Sequence, residues 1–217
     1  VKDVVITNPN APGLALDGNT NSRVFNIDNG VSAEIQDLTI ANGMDANGGG
    51  IQNNGNLALW RCKISNNESL GNGGGLFSDN GTTIEIYNCT FADNIASGDG
   101  GGFYADQATP TVSGSTINNN EATNGGGCVT NEGDFVNCTF SANTATNDFN
   151  QIVETDTAQL AHCTITNGTG ASNNLSGSFV VNHTIIYGNS GAIGGTLNAS
   201  FSAVSYTHLT LPTSVMV

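Results

Sequence analysis

The stretch LWRCKISNNESLGNGGGLF, residues 59–77, is matched place for place by IYNCTFADNIASGDGGGFY, residues 86–104. Both contain an aliphatic residue, a cysteine three places on, an apolar residue two beyond that, an asparagine after three more, and a glycine triplet before a large apolar residue. Followed outward, the triplet begins at Gly48, Gly73, Gly100 and Gly125, at intervals of 25, 27 and 25. A fixed period of this length marks stacked supersecondary units, each too small to bury its own apolar face.

The repeat resolves into columns. After the triplets come Ile51, Leu76, Phe103 and Cys128, with Ile152 in the same place in a coil without the glycines. A second series runs Ile35, Leu59, Ile86, Val112, Phe135, Leu160, Val180; three residues later come Leu38, Cys62, Cys89, Ser115, Cys138, Cys163 and His183. Two further on stand Ile40, Ile64, Phe91, Ile117, Phe140, Ile165 and Ile185. A step of two keeps side chains on one face of a strand, whereas a step of three requires a bend. Each unit therefore reads as strand, corner, strand.

Five residues past the cysteine column stand Asn67, Asn94, Asn120 and Asn143, with Gly43, Gly168 and Gly188 in the outer coils. Asn and Gly tolerate left-handed backbone, so this reads as a turn column. Its amides can also bond from coil to coil, satisfying backbone groups that a tight corner leaves unpaired. The fold class expected is all-β: a right-handed parallel β-helix, a single-stranded solenoid with coils of about 25 residues. With strands ~4.8 Å apart, the coils marked by the cysteine column make a rod of roughly 30 to 35 Å. A leucine-rich repeat has similar spacing, but Ser69, Ala96, Ala122 and Ala145 stand where it needs a further apolar residue. Its helix would have to pass through the glycine triplets.

Composition narrows the function classes. Of 217 residues, 37% are hydrophobic and placed at fixed intervals, which gives the chain a core and argues against disorder. The net charge of −14 sets 18 acidic residues against Lys2, Arg23, Arg61 and Lys63, so nucleic acid and anionic bilayers are repelled. No stretch approaches the ~20 apolar residues of a spanning helix. An export signal is not visible, and Val1 falls in mid-repeat, so more chain upstream is expected. The repeat occupies residues 1–204; the tail 205–217 obeys none of the columns and reads as translated sequencing adapter, outside the fold.

The paired signatures, Gly-Gly-Gly-aliphatic at Gly73–Leu76 and Phe-x-x-Asn at Phe91–Asn94 and Phe140–Asn143, resemble the repeats of chlamydial-type polymorphic outer membrane proteins. More broadly they resemble secreted bacterial β-helix repeats. The resemblance covers roughly residues 24–190. It implies an extracellular or outer cell-surface location and an exported passenger, and it implies no catalytic residue.

Candidate sites are few. Cys138, Cys163 and His183 would be consecutive neighbours with zinc-binding chemistry, but a nearly straight column does not converge tetrahedrally, and Ser115 interrupts it. Buried free cysteine behaves as a small hydrophobe, which an inward column needs. Stacked Cys62 and Cys89 also fall within disulfide range. Asp79 and Asp106 take equivalent places in adjacent coils, flanked by Asn54 and Asn131, and are the candidate calcium ligands; a solvated turn is the alternative. Trp60 and Tyr87 share an outward column and are the candidate ligand surface for a sugar or a protein partner.

An enzyme reading rests on fold analogy. Arg61 and Lys63 flank Cys62 and should point outward, and no carboxylate cluster is evident beside them. The sequence therefore favours a non-enzymatic, cell-surface or extracellular scaffold that binds glycan or protein surfaces. The competing reading is a carbohydrate-active β-helix enzyme, a polysaccharide lyase or hydrolase. Charged side chains from three or more coils converging on the sheet would separate the two.

Overall fold

Ile51 pairs with Leu76, Leu76 with Phe103, Phe103 with Cys128 and Cys128 with Ile152, each step parallel and each one coil further along. This is the triplet column of the sequence, and all five side chains are fully buried. The computed structural model describes residues 2–8, 13–78, 81–105, 107–170, 173–189, 192–200 and 202–204. Among these residues there is no helix, which removes the leucine-rich repeat.

Three stacks of parallel strands wind around one core. The first carries Ile51–Asn53 and its equivalents, and also the longer run Lys2–Thr7, Val31–Gln36, Asn56–Trp60, Thr83–Tyr87, Thr111–Ser113 and Asp134–Val136. Its two parts fuse where a single strand, Ile152–Ala161, spans both. The second holds Thr39–Ala41, Lys63–Ser65, Thr90–Ala92, Thr116–Asn118, Thr139–Ser141 and Thr164–Thr166. The third is built from short strands such as Glu68–Ser69 and Ile95–Ala96. Leu59, Ile64, Ile86, Phe91, Val112, Ile117, Phe135 and Phe140 face inward and are fully buried.

The step of three between Leu59 and Cys62 is a bend, as expected, and the residue that makes it is Arg61, with φ of 52°. Its equivalents Asp37, Asn88, Gly114, Asn137, His162 and His183 are also left-handed. The second bend lies one place before the asparagine column. Asn66, Asp93, Asn119, Ala142 and Asn167 carry the positive φ there, correcting the assignment of the turn to Asn67 and its equivalents.

Those inner asparagines instead form the amide ladder, fully or almost fully buried. The Nδ2 group of Asn67 donates to Asn94 Oδ1 at 3.0 Å, Asn94 to Asn120 at 2.9 Å, and Asn120 to Asn143 at 3.0 Å. Each Oδ1 also accepts a backbone N–H from the preceding coil, as Asn94 does from Asn67 N at 3.1 Å. Each amide thus takes the corner N–H of the preceding coil, while the corner carbonyls accept from backbone, as Asn67 O does from Ile95 N–H at 2.9 Å.

The last coil is displaced by one residue from the sequence alignment. Leu160 pairs with Val181 and Ile165 with Ile186, so Thr184 and Asn189 take the places assigned to His183 and Gly188. The ladder consequently ends on an asparagine: Gly168 N–H donates to Asn189 Oδ1 at 2.9 Å. Gly74 shows why the triplet is glycine, since a Cβ there would come within 2.6 Å of the Ile95 carbonyl oxygen.

Candidate functional site

Along Val31–Gln36, Asn56–Trp60 and Thr83–Tyr87 the residues alternate strictly. Ala33, Ile35, Leu57, Leu59, Ile84 and Ile86 point into the core, so their neighbours must face out. The outward residues form three columns running along the rod. One holds Ser32, Asn56 and Thr83, linked by hydrogen bonds from Asn56 Nδ2 to Ser32 Oγ at 3.3 Å and from Thr83 Oγ1 to Asn56 Oδ1 at 2.8 Å. The next holds Val5, Glu34, Ala58, Glu85, Thr111 and Asp134. The third holds Gln36, Trp60, Tyr87 and Ser113.

Over the first two columns lies an open groove of about 410 Å³. Asp3, Glu34 and Glu85 line it together with Ser32, Asn56 and Thr83, and no lysine or arginine does. The carboxylates come from three different coils, and the coil of Ala58 lies between those of Glu34 and Glu85. They are far apart in sequence, and only the register one place before Ile35 and Ile86 reveals that Glu34 and Glu85 share a face.

Beside the groove, Trp60 and Tyr87 meet as the shared column predicts. Their ring centroids are 4.1 Å apart at an interplanar angle of 24°, and both side chains are half-buried. The small Ser113 follows Tyr87 in the column. A stacked aromatic pair of this kind offers apolar surface at low entropic cost, with polar groups alongside to fix orientation.

A family model for the right-handed β-helix region matches residues 1–167, spanning the groove, the aromatic pair and most of the ladder. The chain belongs to this family. No curated protein and no solved structure matches it.

The two arginines of this β-helix are committed elsewhere. Arg61 clamps the preceding coil, donating from Nε to Asp37 Oδ1 at 2.7 Å and from a terminal nitrogen to Asp37 Oδ2 at 2.9 Å. The hydrogen bond from Arg61 holds the Asp37 carboxyl below its ordinary range. Arg23 donates to the Gly48 and Asn47 carbonyls and pairs with Asp45 at 3.3 Å. Neither guanidinium faces the groove as a base for a lyase.

The cysteine column is architecture of a more specific kind than a small hydrophobe supplies. Cys62 N–H donates to Cys89 Sγ at 3.4 Å, Cys89 N–H to Ser115 Oγ at 3.0 Å, and Cys163 N–H to Thr184 Oγ1 at 3.1 Å. The thiols in turn donate to carbonyls, as Cys62 Sγ does to Ile35 at 3.3 Å. From Cys62 onward the column therefore favours a small side chain with an acceptor, and Ser115 and Thr184 can replace Cys there, whereas the first coil carries Leu38. All five cysteines are free and buried. The thiol-to-thiol hydrogen bonds, then burial, push Cys89 and Cys138 up, so both stay protonated. His183 is not in this column but at the left-handed place before Thr184, exposed and stacked on His162, which dissolves the Cys138, Cys163 and His183 grouping.

Asp79 and Asp106 lie outside the described residues. Of their flanking residues, Asn54 Oδ1 accepts from Gln52 Nε2 at 2.9 Å and Asn131 Oδ1 from Thr155 Oγ1 at 2.9 Å. Among the described residues no three His, Cys, Asp or Glu side chains gather as a metal site.

One buried carboxyl escaped the sequence reading. Glu154 faces inward beside Thr130, where the preceding coils place Asn53, Ser78 and Ala105. Thr130 Oγ1 and Gly133 N–H both donate to it, the latter at 3.4 Å. Burial nevertheless raises its pKa from 4.5 to about 7. A lone Glu in an Asn- and Thr-rich sequence carries no mark of this; only the column partner Thr130 betrays it.

Proposed function

We propose that this β-helix is a non-enzymatic, surface-exposed scaffold that binds a glycan along the outer face of its first sheet. The observation that carries the reading is the Trp60–Tyr87 stack beside the groove of about 410 Å³. Aromatic faces take the apolar faces of sugar rings, while Asn56 and Thr83 can donate to and accept from hydroxyls and the carboxylates accept from them. The acidic lining and the net charge of −14 disfavour uronate or sulfated chains and leave neutral or amine-bearing glycans. An extracellular or cell-surface location, and kinship with the polymorphic outer membrane repeats, belong to the same proposal. They are supported by the Phe-x-x-Asn and glycine signatures.

A glycan array, followed by titration of the strongest hit, tests it. Binding should be lost in a Trp60→Ala/Tyr87→Ala double variant that still folds. Equal binding by that variant, or no glycan bound at all, would overturn it.

A second reading is favoured by Asp3, Glu34 and Glu85 lining one groove from three coils: hydrolysis of a glycan by a pair of these carboxylates. Release of reducing ends from neutral polysaccharides, abolished in Glu34→Gln or Glu85→Gln, would establish it in place of simple binding.

A further inference from the structure

We propose that the cysteine column holds two redox-closable thiol pairs, Cys62 with Cys89 and Cys138 with Cys163, each forming a disulfide between neighbouring coils on oxidation. Trp60 pairs with Tyr87 and Lys63 with Thr90, which sets Cys62 and Cys89 in register on adjacent coils at the bend. Val136 with Ala161 and Thr139 with Thr164 do the same for Cys138 and Cys163. Parallel coils lie ~4.8 Å apart, inside the ~4.4–6.8 Å Cα separation of disulfides. Equivalent Cβ atoms share that spacing and must close by a few tenths of an ångström to reach the ~4.5 Å upper end of the disulfide range. The strain this stores makes each link easy to reduce, so the pairs are reversible staples between coils.

The pairing has one solution. Ser115 stands between Cys89 and Cys138, so the two pairs cannot exchange partners along the column. Cys128 lies in the triplet column between Phe103 and Ile152, with no cysteine beside it. The odd count thus resolves into two pairs and one thiol left over. The S–H contacts that closure gives up are long, such as Cys62 Sγ to the Ile35 carbonyl at 3.3 Å and Cys138 Sγ to the Val112 carbonyl at 3.4 Å. The hydrogen bond within each pair holds Cys62 and Cys163 below the ordinary thiol range, which makes each the nucleophile of its pair. With glutathione disulfide as oxidant, that thiolate attacks one sulfur and expels a glutathione thiolate. The partner then gives up its proton, attacks the mixed disulfide and expels the second. Two protein thiols and one glutathione disulfide become one protein disulfide and two glutathione thiols, which carry the two protons. Both pairs are buried, so exchange in the folded chain runs through opening of the corner.

The full chain, reduced and unfolded in urea, is refolded in buffers of oxidised and reduced glutathione, then alkylated and mapped by mass spectrometry. Five cysteines can form two disulfides in fifteen ways, three for each choice of the one left out. The expected product is a single one of these: Cys62 linked to Cys89, Cys138 linked to Cys163, and Cys128 alkylated. Cys89→Ser should leave the Cys138 to Cys163 link alone, and Ser115 shows that the column accepts serine. Excess reduced glutathione should reopen both links. Fewer than two links at every glutathione ratio, links that include Cys128 or join one pair to the other, or links that resist that reduction would overturn the proposal.

Discussion

The backbone N–H of Cys163 ends on the hydroxyl of Thr184, 3.1 Å away on the next coil, and that hydroxyl contacts the Leu160 carbonyl at 3.3 Å. Both residues are buried, so neither group has water as an alternative partner. Replacing Thr184 with the isosteric Val keeps the volume and leaves the Cys163 N–H unpaired, which should cost about 1–3 kcal/mol. Cys163→Ser keeps a small side chain with an acceptor, as Ser115 does naturally, and should stay within about 1 kcal/mol of wild type. Urea denaturation of the two variants beside wild type checks both. An unchanged midpoint for Thr184→Val would show that the corner column is held by packing alone.

The amide ladder makes a harsher prediction. Asn94 accepts from Asn67 and donates to the Ile64 carbonyl at 3.0 Å and to Asn120 at 2.9 Å. Truncation to Ala strands partners on both neighbouring coils, so Asn94→Ala should cost at least about 3 kcal/mol, beyond the loss of any one hydrogen bond. Because repeat arrays unfold in parts, hydrogen exchange should show the lost protection centred on the Asn67, Asn94 and Asn120 corners. Uniform loss along the rod would mean that the ladder is not a local clamp.

One place away the sign reverses. Ala142 holds a left-handed φ of 54°, where a Cβ costs roughly 1–2 kcal/mol and glycine costs none of that strain. After the extra chain entropy of glycine, Ala142→Gly should raise stability by up to about 1 kcal/mol. The same substitution at the neighbouring Asn143 should lower it steeply, since Asn143 Nδ2 donates to the Ile117 carbonyl at 2.9 Å and its Oδ1 accepts from Asn120 N–H at 3.0 Å. Thermal melts of the two glycine variants distinguish turn from ladder directly.

The ease with which these columns could be read follows from what each encodes. Ile51, Leu76 and Phe103 announce themselves because burial demands apolar side chains at every coil, and Trp60 with Tyr87 follow from strict alternation. The left-handed places were harder: at Arg61, Ala142 and His162 the neighbouring corner bonds, not the local propensity, impose the conformation. The slip at Val181, Thr184 and Ile186 arose where the repeat is least regular and valines stand side by side at Val180 and Val181. Asp3, Glu34 and Glu85 remained hidden because a groove on the outside of a solenoid is assembled by register alone, with no periodic residue type to mark it.

Glu154 gives the pH dependence its direction. Its folded pKa, raised by burial from 4.5 to about 7, means that the native state holds a proton that the unfolded chain releases between those values. The favourable contribution is complete below the unfolded pKa and is lost as pH rises through the folded one, so this group weakens the fold from pH 4.5 up to about 7. The full swing is about 3 kcal/mol at 1.36 kcal/mol per unit. Glu154→Gln keeps an acceptor for Thr130 and Gly133 but cannot ionise. Its stability should exceed that of wild type by a margin that widens between pH 5 and pH 7.5. Self-repulsion of the remaining acidic residues is common to both proteins and cancels in the comparison. Parallel stability curves for the two across that range would show that Glu154 titrates as an ordinary solvated carboxylate, through opening of the Thr130 corner.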